Sequence, residues 1–209
     1  MTGRRVCLCL IVALPACAAG CSGISADERL VDLAEVDPRI VLDVRYATAD
    51  NFLKEPVYPV ARCLLRECAA RRLRRVQDDL AARWMGLKVY DAYRPLSVQR
   101  KMWAVMPDPK YVADPAKGSR HNRGAAVDVT LVDSAGRELS MPCPYDEFSP
   151  RADREYRGGT PEERNNRRIL EKAMRRQGFI GLDSEWWHFD ARGWERYPVL
   201  DVPLESAAR

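Results

Sequence analysis

The sequence predicts a single α+β domain in which a mainly antiparallel sheet is flanked by helices and carries the functional site. Three observations predict it. The 209 residues fit one domain at the usual ~100–200 residues per domain, and 46% apolar content is enough for a core. Segments with β-branched alternation are interspersed with longer amphipathic stretches. One short turn, Asp133 to Gly136, has hairpin chemistry, which joins antiparallel neighbours.

The first twenty residues stand apart. Arg4 and Arg5 precede an apolar run from Val6 to Ala16, and small residues Ala18, Ala19 and Gly20 precede Cys21. This is a secretory signal layout, too short for a spanning helix of ~20 apolar residues. The run ending at Cys21 resembles a bacterial lipobox, so the expectation is cleavage after residue 20 and a lipid on Cys21, with a periplasmic, lipid-anchored or otherwise secreted product. Leu14-Pro-Ala-Cys17 is a second, proline-containing candidate. Residues 21–34 read as a linker and 35–209 as the catalytic domain.

Loss of residues 1–20 removes two arginines and no acids, so the net charge falls from +4 to +2. Such a balance gives no reason to expect nucleic acid, and any membrane contact comes through the lipid. The cluster Arg71-Arg-Leu-Arg-Arg75 fits the solvated face of an amphipathic helix. Cys63, Cys68 and Cys143 remain after processing, and an oxidising compartment permits a bridge from Cys143 to Cys63 or Cys68. Three reduced thiols fit equally well.

Residues 39–46, with Ile40-Val-Leu-Asp-Val-Arg-Tyr46, predict a strand. Residues 51–59, with two prolines, predict a loop. Apolar residues at three- and four-residue steps predict a helix from Ala61 to Trp84, stopped by Gly86, and then a strand from Leu87 to Ala92. Arg94-Pro95 opens a helix from Leu96 to Val105, since proline is tolerated only in the first turn. After a loop with two Asp-Pro steps, Ala125 to Val132 predicts a buried strand, and the Asp133 turn leads into Glu138–Met141. Pro142 to Gly159 is a long irregular loop of the kind that is more often functional than idle. Thr160-Pro-Glu-Glu163 caps a last helix ending near Gln177 and Gly178. Phe179–Leu182 and Trp186–Asp190 predict closing strands.

The chemistry concentrates in two motifs, because the chain has only two histidines and each stands near a carboxylate. The first is Ser119-x-His121-x-x-Gly124-x-Ala126-x-Asp128, the second Glu185-x-x-His188. Catalytic zinc takes three protein ligands and leaves one position open, commonly two imidazoles and a carboxylate. His121, Asp128 and His188 supply that set for one zinc ion, and Gly124 can bend the chain between the first two. Glu185 is the free carboxylate that serves as base. Its odd offset from His188 places it on the opposite face of a regular strand, so a bulge or turn must precede His188. Arg94, fixed beside a proline, is the candidate for oxyanion stabilisation, with an ordinary surface arginine as the alternative. A buried core histidine would explain His188 between Trp187 and Phe189, but not His121 between Arg120 and Asn122. Trp186 and Trp187 read as core, and Asp190 either orients His188 or caps its strand.

These motifs resemble the LAS (M15) zinc peptidases, and the wider text resembles their VanX-type branch, the D-alanyl-D-alanine dipeptidases. The resemblance rests on Asp43-Val-Arg-Tyr46-Ala-Thr-Ala-Asp-Asn51-Phe52, Tyr90-Asp-Ala-Tyr-Arg94-Pro95, the two metal motifs and Tyr145-Asp146-Glu-Phe-Ser149, spanning residues 36–198. It implies hydrolysis of the free dipeptide D-Ala-D-Ala to two D-alanines. It also implies roles for Tyr46 and Asp146 near the substrate ammonium and for Ser119 near its carboxylate. With the leader, it implies cell-wall peptide turnover. The competing readings are a D,D-carboxypeptidase or endopeptidase acting on peptidoglycan peptides, and a zinc-stabilised binding module without turnover.

Overall fold

The computed structural model describes residues 28–206. The signal segment and Cys21 lie outside the described residues. The elements run β1 (Leu30–Asp32), α1 (Leu33–Val36), β2 (Val41–Leu42), β3 (Leu64–Arg66), α2 (Glu67–Ala81), β4 (Met85–Asp91), α3 (Leu96–Val105), β5 (Ala126–Asp133), α4 (Pro161–Arg176), β6 (Phe179–Leu182) and β7 (Glu185–Ala191). The main sheet has the order β2-β4-β5-β7-β6, antiparallel except for the parallel pair β2 and β4. Strands β1 and β3 form a separate antiparallel pair.

Helices α2 and α4 pack on each other and against the sheet. Helix α2 buries Leu73, Val76 and Leu80 and leaves its arginines outward, the arrangement its amphipathic spacing implies. Helix α4 begins with a complete capping box, Thr160 receiving the Glu163 N–H while the Glu163 carboxylate receives the Thr160 N–H. The central strand β5 is covered on both faces, and its residues from Ala126 to Val132 are all buried. Trp186 and Trp187 are core residues, packed edge to face at 5.4 Å. Among the described residues no helix is long and apolar enough to cross a membrane.

Five sequence expectations need correction. The expected linker to residue 34 ends earlier, because Leu30–Asp32 pairs with Leu64–Arg66 and Leu33 is fully buried. The same pairing removes the first turns of the helix predicted from Ala61. Leu64 and Leu65 are both buried in extended chain, which helical spacing alone cannot distinguish from a helix. At the other end Gly86 lies inside β4 rather than stopping the helix. The chain reverses at Trp84 (φ 59°), and the Gln77 side chain occupies the space a Gly86 Cβ would need while receiving the Leu87 N–H at 2.8 Å.

The strand predicted to Tyr46 stops at Leu42, and a 3₁₀ turn over Arg45–Ala47 swings Tyr46 inward. Buried Asn51 holds that loop, donating to the carbonyls of Thr48 and Glu55 and accepting from the Leu53 N–H. Beyond the Asp133 turn, the expected strand is reduced to one bridge from Glu138 to Val132 and a Leu139–Leu131 hydrogen bond. Cys63, Cys68 and Cys143 are all free thiols.

Candidate metal centre and active-site pocket

His121 stands in a 3₁₀ turn that Gly124 closes in the left-handed region (φ 65°). A Cβ there would lie 2.5 Å from Leu30 Cδ2, so the left-handed backbone favours glycine and a larger residue would also have to displace the Leu30 side chain. The His121 Nδ1–H donates to the Ala92 carbonyl at 2.7 Å, which fixes the tautomer and frees Nε2. Asp128 and His188 are direct cross-strand partners of β5 and β7. His188 Nε2 donates to Asp190 Oδ1 at 2.9 Å, so Asp190 orients the ring and leaves Nδ1 facing the site.

The three freed atoms form a nearly equilateral triangle. His121 Nε2 and His188 Nδ1 are 3.1 Å apart, His188 Nδ1 and Asp128 Oδ1 3.1 Å, and His121 Nε2 and Asp128 Oδ1 3.3 Å. Ligands bonded at 2.0–2.1 Å in a tetrahedron stand roughly 3.3 Å apart, so one face of such a tetrahedron is already assembled. All three side chains are buried. The donor set, two imidazoles and a carboxylate, therefore fits a small divalent cation in chemistry and in spacing.

Glu185 opens β7 with its Oε2 3.9 Å from His188 Nδ1, outside the triangle. The required bulge is present: β6 advances from Gly181 to Leu182 while its partner on β7 jumps from Phe189 to Glu185. Burial pushes the Glu185 carboxyl up to about 7, with Asp128 adding to the rise and His188 opposing it. Burial alone would discharge His188, but its hydrogen bonds to Asp128 and Asp190 outweigh that and push it up to about 10. Asp128 is held far below the carboxylate range because the two imidazoles overcome its burial.

Arg94 is no surface arginine. It is buried beside the triangle, where Nε and Nη2 donate to Asp91 Oδ2 at 3.1 and 2.7 Å and Nη1 donates to Gln99 at 2.9 Å. Its guanidinium lies 5.2 Å from the centre of the Tyr46 ring. Tyr46 donates its hydroxyl to Asp146 at 3.1 Å. Asp146 sits in the left-handed region (φ 61°), and burial, reinforced by Asp128, raises its carboxyl well above the usual range. Ser119 and Asn122 are locked reciprocally, each receiving the other's backbone N–H.

Tyr46, Arg94, Ser119, His121, Asp128, Asp146, Glu185 and His188 thus all line one cavity of about 330 Å³. Sequence reasoning missed three groups. Asp91, fully buried, pairs with Arg94 from three positions upstream. Tyr145 donates its hydroxyl to Asp128 Oδ2 at 3.1 Å. Phe52, Tyr111 and Phe148 form an aromatic wall of the cavity, Phe148 meeting Phe52 at 5.3 Å and Tyr111 at 4.8 Å. Asp91 and Tyr145 lie inside motifs already noted, whereas Tyr111 sits in a loop without signature.

Comparison with known proteins bears on this pocket directly. The peptidase M15 family, described as D-Ala-D-Ala dipeptidase, matches residues 26–201. The chain is 39% identical over 171 residues to the D-alanyl-D-alanine dipeptidase of Escherichia coli strain K12, covering 82% of this chain and 89% of that one. It is 33% identical over 182 residues to the enzyme of the same name from Enterococcus faecalis, covering 77% and 86% respectively.

Proposed function

We propose, since this chain belongs to the peptidase M15 family of D-Ala-D-Ala dipeptidases, that it hydrolyses the free dipeptide D-Ala-D-Ala to two D-alanines in cell-wall peptide turnover. The observation that carries the reading is the triangle of His121, Asp128 and His188 with Glu185 standing uncoordinated beside it. One zinc ion per chain, held by those three residues, would polarise the scissile carbonyl and make the attacking water more acidic.

The chain's own groups do the rest. Glu185 accepts the proton of the attacking water and passes it to the departing amine, a role open to it because it stands beside the triangle, 3.9 Å from His188 Nδ1, without being part of it. Arg94 faces the charge that builds on the carbonyl oxygen. Its guanidinium is already oriented by Asp91 and Gln99, so no reorganisation is needed when that charge appears. Asp146, steadied by Tyr46, receives the substrate ammonium, and Ser119 lies at the carboxylate end. A site that uses a buried carboxyl to receive a free amine favours dipeptides over chains whose amine is acylated.

The leader supports a periplasmic location with a lipid on Cys21 as the membrane attachment. The deciding assay offers purified mature protein D-Ala-D-Ala, L-Ala-L-Ala and an N-acylated D-Ala-D-Ala peptide, before and after chelation. The expected result is chelator-sensitive cleavage of D-Ala-D-Ala alone. Faster cleavage of the acylated peptide would replace this reading with a D,D-carboxypeptidase.

A further inference from the structure

The motif Glu185-x-x-His188 works only because β7 breaks register, and a bulge is a costly thing to hold. It interrupts the ladder at carbonyls that are buried and still require donors. In this structure one side chain gathers them. Arg154, in the long loop before α4, is buried behind the sheet. Its Nη2 donates to the Glu185 carbonyl and to the His188 carbonyl, both at 2.9 Å, and its Nε donates to the Leu182 carbonyl at 3.2 Å. Its backbone N–H donates to Asp183 in the turn between β6 and β7 at 2.8 Å. The guanidinium stacks on the Phe189 ring at 4.5 Å and is neutralised by Glu171 of α4.

The slot is built for it. A Cβ on Gly181 would lie 2.2 Å from Arg154 Cζ, so the β6 backbone presses directly on the guanidinium, and Gly181 needs to be glycine for packing rather than for its backbone angles. A planar fork can donate to several carbonyls at once in a way that lysine cannot.

We infer that Arg154 is the positioning residue of the active site: its guanidinium clamps the β7 bulge and so sets the distance between the Glu185 carboxylate and the His188 ligand atom. It touches neither substrate nor metal, and acts through the backbone of the two residues that do. The inference rests on the proposed dipeptidase chemistry for its kinetic readout only.

The test compares Arg154→Met, Arg154→Lys and Gly181→Ala with the wild type as zinc-loaded enzymes and after cobalt(II) substitution. Arg154→Met should lower kcat on D-Ala-D-Ala roughly ten- to hundredfold, the usual effect of removing a group that orients a metal ligand, while KM stays within about twofold. The visible cobalt absorption should change as His188 shifts, and Arg154→Lys should recover only part of both. In a Glu185→Gln background the Arg154→Met change should cost clearly less than it does in the wild type, since part of its effect runs through that carboxylate. Gly181→Ala, which leaves Arg154 chemically intact but evicts it, should reproduce the Arg154→Met phenotype and decides the matter if that variant does not fold. Wild-type kcat and cobalt spectrum in either folded variant, or full additivity with Glu185→Gln, would overturn the assignment. If the wild type does not cleave D-Ala-D-Ala, the dipeptidase reading fails separately, and the cobalt spectra still decide the role of Arg154.

Discussion

Replacing Asp91 with asparagine should destabilise the protein by an amount the structure lets one bound. Asp91 ends β4 with no exposed surface, and four donors converge on its carboxylate: Arg94 through Nε and Nη2, the Tyr58 hydroxyl at 2.7 Å and the Ala92 N–H at 2.9 Å. Asparagine has one acceptor oxygen for those four donors and turns an NH₂ group toward two of them. It also leaves the buried Arg94 guanidinium without its direct counter-ion. Removing one partner of a buried pair costs about 3–5 kcal/mol, and both groups are too buried for solvent to screen the loss. For a domain of this size each kcal/mol lowers Tm by about 2–4 °C, so Asp91→Asn should melt about 6–20 °C below the wild type. Calorimetry of the metal-loaded proteins reads this directly. Arg94→Met should fall in a similar range by stranding the carboxylate. The double variant Asp91→Asn with Arg94→Met should be more stable than the sum of the two losses implies. A Tm for Asp91→Asn within about 2 °C of wild type, or strict additivity in the double variant, would refute the account of Arg94 as a cation held in place by Asp91.

Glu185→Gln should keep its metal content and fold while kcat drops by about a thousandfold, the scale of general acid–base catalysis; near-normal turnover with full metal would remove Glu185 as the base. Stability of the chelated protein should decline with rising pH. His188 and Glu185 are both raised, to about 10 and about 7 from ordinary values of 6.5 and 4.5, so their contributions are complete below the ordinary values and lost as pH climbs through the raised ones. Thermal melts in chelator from pH 5 to 10 check this, and a Tm that rises across that window contradicts it. Gly124→Ala forces alanine into the left-handed region at a cost of about 1–2 kcal/mol, before Leu30 has moved aside, so Tm should fall by at least about 2–8 °C and affinity for a divalent metal should weaken with the displaced His121 turn. Asp146→Asn should lower kcat/KM on D-Ala-D-Ala about ten- to a hundredfold and leave the low rate on an N-acylated peptide unchanged, because only the free amine loses a charged partner; equal losses on both would place the ammonium elsewhere.

The metal triangle was legible because its donor types are scarce. Two histidines, each spaced a few residues from a carboxylate, leave little freedom, and the odd offset of Glu185 from His188 demands the register break found between Gly181 and Leu182. Most strands and helices that follow residue 85, though not the segment Glu138–Met141, were legible for a similar reason. Proline at Arg94-Pro95, the hydroxyl cap at Thr160 and the β-branched run of β5 are local signals, and α3 spans Leu96–Val105 as its spacing implies. The misread segments are those decided by distant partners. Leu64 and Leu65 are extended because Asp32 and Val31 pair beside them. The strand before Tyr46 is cut short by a turn that Asn51 stabilises from downstream. The partner of Arg94 went unrecognised although it lies three residues away, since an acid at a strand end looks the same whether it faces water or a guanidinium.

The carboxyl groups in and behind the pocket are sorted by their partners, and the sorting accounts for how a site with so many acids can exist. Asp128 and Asp190 are buried, yet each hydrogen-bonds an imidazole that outweighs the burial and keeps it anionic. Glu185 and Asp146 are equally buried without a cation that dominates their surroundings, so burial lifts both. The first pair suits ligation and orientation, which need permanent anions. The second pair suits groups that must change state. On the proposed reading, a divalent cation in the triangle favours ionised Glu185, and the ammonium of an incoming dipeptide favours ionised Asp146. Binding of a free dipeptide to the protonated pocket would then be linked to proton release from Asp146, whereas an acylated peptide, bringing no cation, would leave that carboxyl neutral and forgo the ion pair. Selectivity for free dipeptides would arise from an electrostatic condition that only the right substrate meets, and its signature is proton release on binding D-Ala-D-Ala to Glu185→Gln that is absent in Asp146→Asn. Equal proton uptake or release in both backgrounds would rule this origin out.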